Sequence, residues 1–402
     1  MGSVLVDQIG PDGGLVRDVD VRIPRALRDR LVLDALPGAT VRQYAGTNVI
    51  WFRDQVILRK QVTHLGYPWP EHKKRIQIPK DWVDVYRQAM RDGFECRFLG
   101  VYHYGTTTIF VDFEPSTYAE RKANNSAAHV STNDLFQAQT LGVFTRTDRN
   151  GNKVTSVRAD RLAEYLGGAV SGELPQFSAL RAFNRELLTG DRIDALDAVK
   201  EMHEAGWPDA MQGEWAGFYL EYRLSRFLRE YGPSAQLEVR KVKSRGDFDF
   251  DLLVLDGERV AHFGDLKASS ESSGESLGND AADLDRCLDQ YGRFWYVIYE
   301  HETWHSRDED HRPVMEWNEW RRSVGYTRPK GYDPLSYAGR FKSAVRFTRM
   351  YVLEVNEANR QQVLTPFNQG RQPDGSPRAP KVKIAKKNID NFLVCSGRIG
   401  DP

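Results

Sequence analysis

Three residues in the C-terminal half have the types and spacing that phosphoryl chemistry uses: Asp251, then Asp265 and Lys267. Asp251 heads an apolar run, Leu252 to Leu255, Asp256-Gly257 is a turn signal, and the returning segment ends Gly264-Asp265-Leu266-Lys267. Side chains alternate along a strand, so Asp265 and Lys267 share one face while Leu266 takes the other, and Asp251 on the neighbouring strand reaches the same face. Two carboxylates are hard oxygen ligands for a divalent cation and leave positions for water and phosphate. An ammonium beside them can orient or deprotonate an attacking water and offset developing charge on phosphorus. Asp249, two residues before Asp251, lies on the same strand face and is a rival ligand.

Asp251, thirteen intervening residues and then Asp265-Leu266-Lys267 resemble the PD-(D/E)XK nuclease superfamily, which includes most type II restriction endonucleases. That family commonly adds an acid on the preceding helix. Glu214 and Glu221 both fit, seven apart on one helix face, and Glu214, in Gly213-Glu214-Trp215, is the one chosen. No proline precedes Asp251, a departure from the family pattern. The resemblance covers roughly residues 210–300. It implies a restriction-endonuclease-like fold, with Mg²⁺ held by Asp251, Asp265 and Glu214 and a water positioned by Lys267. It further implies cleavage of double-stranded DNA to 5′-phosphate and 3′-hydroxyl ends, a homodimer that cuts both strands, and a cognate DNA methyltransferase in the same system.

His301-Glu302-Thr303-Trp304-His305 matches H-E-x-x-H, a competing motif. In zinc metallopeptidases it sets two His ligands one helical turn apart, with Glu as general base. The chemistry requires a helix. Residues 294–299 are an aromatic and β-branched run that reads as a strand, and the charged segment after His305 ends in proline, which suits a surface loop. The remaining alternative is a DNA-binding protein without catalysis.

The elements that must hold Asp251 and Asp265 read as an α/β core: strands at 235–242, 248–256 and 259–269, a helix at about 277–291, and a strongly apolar strand at 293–300. Upstream lie a helical segment from about 178 to 205 and a helix from near Glu214 to Gly232. The first half is strand-rich, with strands at 48–52, 55–62, 75–79, 96–104 and 107–113. They are interrupted by a helix with Asp81 as N-cap, apolar residues at Trp82, Val85, Tyr86 and Met90, and Gly93 as the stop. Residues 114–170 read as mixed and polar, with a turn at 148–151 and a short helix at 158–166. The stretch 167–176 reads as a linker. The expectation is an α/β (overall α+β) chain: an N-terminal recognition or effector-like domain over 1–170, and a catalytic domain over 177–402 with a mixed sheet flanked by helices.

Two segments have the character of nucleic-acid contacts. Residues 42–80 interleave Arg59, Lys60, Lys73, Lys74 and other basic residues with Trp51, Phe52, Tyr67 and Trp69, which suits phosphate contact plus stacking. The alternative is that the aromatics are core and the charges a solvated face. Residues 367–387 carry Asn368, Gln369, Arg371, Arg378, Lys381, Lys383, Lys386 and Lys387 against Asp374 alone. Asn368, Gln369 and Arg371 suit base edges. Asn124, Asn125, Asn133, Gln137 and Gln139 form a further amide-rich candidate.

With 402 residues the chain exceeds what one core usually organises, so two domains are expected. Its 56 basic and 56 acidic residues cancel, so any nucleic-acid face must come from where charges sit rather than from their sum. The first residues show no basic n-region or apolar h-region, no run is long enough to span a bilayer, and the three cysteines, Cys96, Cys287 and Cys395, make no disulfide framework. These features predict a protein of the reducing cytoplasm.

Overall fold

Runs of β-branched and aromatic residues pair into sheets wherever turns return the chain. The computed structural model describes residues 4–119, 125–187, 191–240, 248, 250–327, 335, 339–357, 359–368, 370 and 378–399. The chain divides into two units, Met1–Leu174 and Pro175–Pro402, and the division falls inside the stretch read as a linker. Both are mixed α+β. Among the described residues no helix is long and apolar enough to cross a membrane.

The N-terminal unit is built on a seven-stranded sheet. Its spatial order is Val143–Thr147, Lys153–Arg158, Thr107–Phe113, Glu95–Tyr104, Gln55–Gln61, Thr47–Phe52 and Thr40–Tyr44. All neighbours are antiparallel except Gln55–Gln61 and Glu95–Tyr104, which run parallel. The chain between those two passes through the short strand Thr63–His64, the strand Lys73–Pro79 and the helix Lys80–Asp92. That helix buries Trp82, Val85 and Ala89, with Trp82 lying 5.2 Å, centroid to centroid, from Phe98. A fully buried side chain of this size contributes about 1.5–3 kcal/mol, which seats the helix on the sheet. Gly93 ends it with φ +80°, but Asp81 is not the N-cap. The strand continues through Pro79, helical geometry starts at Lys80, and Asp81 falls in the first turn, where it favours the helix dipole instead.

Within the segment read as mixed and polar lies a further helix, Thr132–Leu141, closed by a reciprocal box between Ser131 and Asp134. It buries Asn133 and Gln137, so those two amides do not present themselves to a ligand. Asn124 lies outside the described residues.

In the C-terminal unit the sheet order is Ile193–Asp194, Lys342–Asn356, Arg293–His305, Arg259–Ser270, Leu252–Asp256 and Leu237–Val239, with Leu393–Arg398 also pairing to Lys342–Asn356. Only Arg259–Ser270 and Arg293–His305 pair in parallel; the helix Ala281–Tyr291 lies between them in sequence and packs Leu284 and Leu288 into a core with Phe263, Phe294, Tyr296 and Ile298. The helix Pro175–Leu187 covers other sheet residues, with Phe177 stacked on Trp295 and Phe183 edge-on to Tyr299. The single helical segment expected over 178–205 is two helices, Pro175–Leu187 and Ala195–Glu204. The helix expected from Leu277 starts at Ala281, because Asp280 caps it by accepting from the amides of Ala282 and Asp283. Residues Glu275–Asp280 are instead a strand, in a small sheet with Lys381–Ala385 and Leu364–Phe367.

Candidate metal centre

The hairpin joining Leu252–Asp256 to Arg259–Ser270 turns at Gly257, whose φ of +63° is a conformation glycine adopts without strain. Its register pairs Leu253 with Phe263 and Leu252 with Gly264, so the next step sets Asp251 opposite Asp265. Residues so opposed have Cβ atoms roughly 5 Å apart. Gly264 makes this position possible: a Cβ there would sit 2.9 Å from the carbonyl oxygen of Trp295 and 3.5 Å from Leu252 Cβ. The backbone of Asp251 is held from the other side by the Arg240 amide, which donates to its carbonyl oxygen at 2.8 Å.

Asp265 is 1% exposed, and the Lys267 ammonium forms an ion pair with its Oδ2. The Leu266 amide donates to Asp251 Oδ2 at 3.4 Å. Burial, followed by the negative charges of Asp265 and Glu221, pushes the Asp251 carboxyl up to about 9. Lys267 moves the same way for a different reason. Burial works against its charge, but Asp265, then Asp251 and Glu221, outweigh it and raise its pKa, so the side chain is held as the cation.

Of the two helix acids it is Glu221, and not Glu214, whose charge bears on Asp251 and Lys267. Glu221 lies within the helix Trp215–Tyr231, which packs against the strand Arg259–Ser270, and its charge acts on both Asp251 and Lys267. Glu214 is the exposed residue that precedes the helix, and its charge acts on Lys342. Seven residues keep the two acids on one face but separate them by two turns, about 10 Å. Asp249 lies outside the described residues.

This donor set has the oxygen chemistry that a hard divalent cation takes. Among the described residues no three His, Cys, Asp or Glu side chains form a ready-made metal cage. Mg²⁺ takes one or two protein carboxylates and fills its remaining positions with water and phosphate oxygens, and the opposed Asp251 and Asp265 offer such a pair. A divalent cation would also offset the negative charges that, after burial, push Asp251 upward. Tyr296 is a neighbour that reading the sequence missed. The parallel register sets it beside Asp265, its hydroxyl accepts from the Asn279 amide at 3.5 Å, and burial and then the Asp265 charge raise its pKa.

The H-E-x-x-H segment is part of the strand Arg293–His305, not a helix, and the charged segment read as a surface loop forms a short 3₁₀ helix, Ser306–Glu309, and the start of the helix Arg312–Ser323. Four residues along a strand span about 13 Å, too far for His301 and His305 to share a zinc ion. His301 is fully buried, its Nε2 is 3.2 Å from Lys342 Nζ, and burial followed by the Lys342 charge pulls its pKa down to about 3. Glu302 pairs with Arg346 at 2.5 Å. The zinc-peptidase alternative therefore has no geometric basis.

The basic candidates separate by burial. Arg59 has a side chain only 3% exposed and grips Asp29 through Nε at 2.8 Å and Nη2 at 2.7 Å. Lys74 is completely buried, 3.6 Å from Asp20. Both are interior residues with carboxylate partners and are not surface DNA contacts. Lys60 is partly exposed, and Lys73 sits over the Trp69 ring at 5.3 Å. Of the interleaved aromatics Phe52 is core, whereas Tyr67 and Trp69 stand exposed.

In the C-terminal segment Asn368 and Arg378 are exposed and Lys381 is partly so. Lys383 pairs with Glu275 at 2.7 Å, and Lys386 pairs with Glu300 at 2.8 Å and donates to the Ser270 carbonyl. Lys383 thus braces two strands of the small sheet, and Lys386 fastens the turn that follows it to the main sheet. Gln369 and Arg371 lie outside the described residues.

No curated protein and no solved structure matches the chain. Residues 53–166, wholly within the N-terminal unit, match the model of a family described as methylase-associated X1, and this likeness suggests a place in a restriction-modification system.

Proposed function

We propose that the chain is a Mg²⁺-dependent endonuclease acting on double-stranded DNA within a restriction-modification system. The observation that carries this reading is the register that opposes Asp251 to Asp265 with Lys267 ion-paired beside them. A bound divalent ion supplies Lewis-acid polarisation of the scissile phosphate and a water of lowered pKa. Asp251 and Asp265 would hold it. Glu221 adds negative charge that bears on Asp251 and Lys267. Lys267, held protonated, faces the non-bridging oxygens and offsets the charge that gathers as water oxygen bonds to phosphorus and the bond to the 3′-oxygen breaks. The products carry 5′-phosphate and 3′-hydroxyl ends. Cutting both strands calls for two such centres, so the working form is a homodimer, and a methyltransferase of the same system protects the host sites.

The test is incubation of the purified protein with methylated and unmethylated plasmid, in Mg²⁺ or in EDTA, alongside Asp265→Ala. Discrete Mg²⁺-dependent fragments that vanish in the variant are the expected result. Intact plasmid under every condition would leave a DNA-binding role without catalysis. The assignment of the third acid has its own check: Glu221→Gln is expected to lower the cleavage rate about 10–100-fold, as loss of a supporting acid does. Glu214→Gln leaves the rate within a factor of about two of the parent. Equal effects of the two substitutions would refute the choice of Glu221.

A further inference from the structure

A cleft of about 720 Å³ opens in the N-terminal unit, where the start of the helix Arg25–Ala35 meets the strands Gln55–Gln61 and Lys73–Pro79. Five of the side chains lining it are cationic, Arg22, Arg25, Arg28, Lys60 and Arg75, against one acid, Asp20. Asp20 is already engaged. It accepts from Gln8 Nε2 at 2.9 Å and from the His64 amide, and lies 3.6 Å from the buried Lys74 ammonium. Asp29, at 3.8 Å from Arg25 and 3.9 Å from Arg28, is held by the two-pronged contact from Arg59. Neither carboxylate neutralises the cleft.

The cations there are in an unfavourable setting. Burial, and after it the charges of Arg59 and Arg25, act against the Arg28 cation despite Asp29, and burial together with Arg28 acts against Lys60 despite Asp81. The Arg28 Nε is buried without a hydrogen-bond partner. The helix beginning there has Pro24 as N-cap with no side-chain cap, and its first turn holds no acid. Arg25 and Arg28 thus stand at the positive end of the helix dipole, the sign that disfavours the helix. One anion in the cleft relieves all of these at once, through ion pairs and through the free amides of the first turn.

We propose that this cleft is a phosphate-binding site, taking the phosphate of a nucleotide unit either within DNA or free in solution. It belongs to the N-terminal unit and shares no residue with the Asp251 centre. It does not depend on the nuclease reading. The volume lies in the range of small-ligand sites, which suits a nucleotide rather than an isolated ion.

The full-length protein in EDTA, where no metal-dependent cutting interferes, is tested against two kinds of probe. A fluorescent short duplex reports DNA binding by anisotropy over a range of salt concentrations, and thermal shift reports binding of a nucleoside monophosphate, a nucleoside triphosphate and inorganic phosphate. The parent is compared with Arg22→Ala/Arg25→Ala, which removes two exposed side chains, and with Lys60→Met, each checked by circular dichroism. If the phosphate belongs to DNA, the double variant binds duplex about tenfold more weakly and its log–log salt slope shrinks by about two. If the ligand is a free nucleotide, nucleotide-induced stabilisation is present in the parent and absent in both variants. Folded variants that match the parent with every probe would overturn the proposal.

Discussion

Lys267→Ala is expected to lower Mg²⁺-dependent cleavage by about three orders of magnitude, the loss associated with removing one preorganised donor of charge from a transition state. Asp265 is buried and its carboxylate is ion-paired with this ammonium, so the substitution also removes the nearest compensation of the buried Asp265 charge. In EDTA the variant should therefore be destabilised by about 3 kcal/mol, the usual consequence of breaking a buried ion pair from one side. The two effects separate in Mg²⁺. A divalent ion at Asp251 and Asp265 replaces the lost positive charge, so Mg²⁺ should raise the melting temperature of Lys267→Ala by more than that of the parent, while cleavage stays absent. Lys267→Arg is not expected to restore the rate, because a planar fork cannot occupy the place of a compact ammonium against Asp265. A variant that is folded in Mg²⁺ and still cuts at the parent rate would remove Lys267 from the mechanism.

Asp251→Asn should have effects of opposite sign with and without metal. The carboxyl is pushed up to about 9 by burial and by Asp265 and Glu221, above the value near 4 that it has in an unfolded chain. For an acid raised on folding, its contribution to stability is fully present below the unfolded value and is lost as pH climbs through the folded one. The metal-free parent should thus lose stability across pH 4 to 9 through this group, and the asparagine variant should lack that component. At pH 8.5 in EDTA the variant is expected to be the more stable, with the higher melting temperature. In Mg²⁺ the order reverses, because the neutral amide is a poor ligand and the stabilisation by metal disappears along with cleavage. Binding of the ion by the parent should release close to one proton at neutral pH, measurable as a dependence of the calorimetric heat on buffer. A parent whose stability in EDTA is flat between pH 5 and 9 would show that Asp251 is not raised.

Local sequence determined more of the candidate metal centre than of its surroundings. Asp256-Gly257 makes a turn whatever else the chain does, because glycine tolerates the left-handed backbone there. Two residues of spacing place Asp265 and Lys267 on one face because side chains alternate on any strand. Gly93 ends its helix, and the aromatic and β-branched run from Phe294 is a strand, by equally short-range physics. The same reasoning allowed both Glu214 and Glu221, since helical periodicity gives the face of a residue but not its depth along the partner strand. Tertiary packing brings the charge of Glu221 to bear on Asp251 by seating the helix Trp215–Tyr231 against Arg259–Ser270. Tyr296 came beside Asp265 only through a parallel register that no local signal encodes. The basic stretch 42–80 makes the contrast sharpest. Composition treats its lysines and arginines alike, yet folding buries Arg59 against Asp29 and Lys74 near Asp20, while Lys60 joins Arg22, Arg25, Arg28 and Arg75 around one cleft. Propensity, turn chemistry and alternation act over a few residues and are written in order along the chain. Which charge finds a partner depends on residues tens of positions away, and only the closed fold brings them within reach.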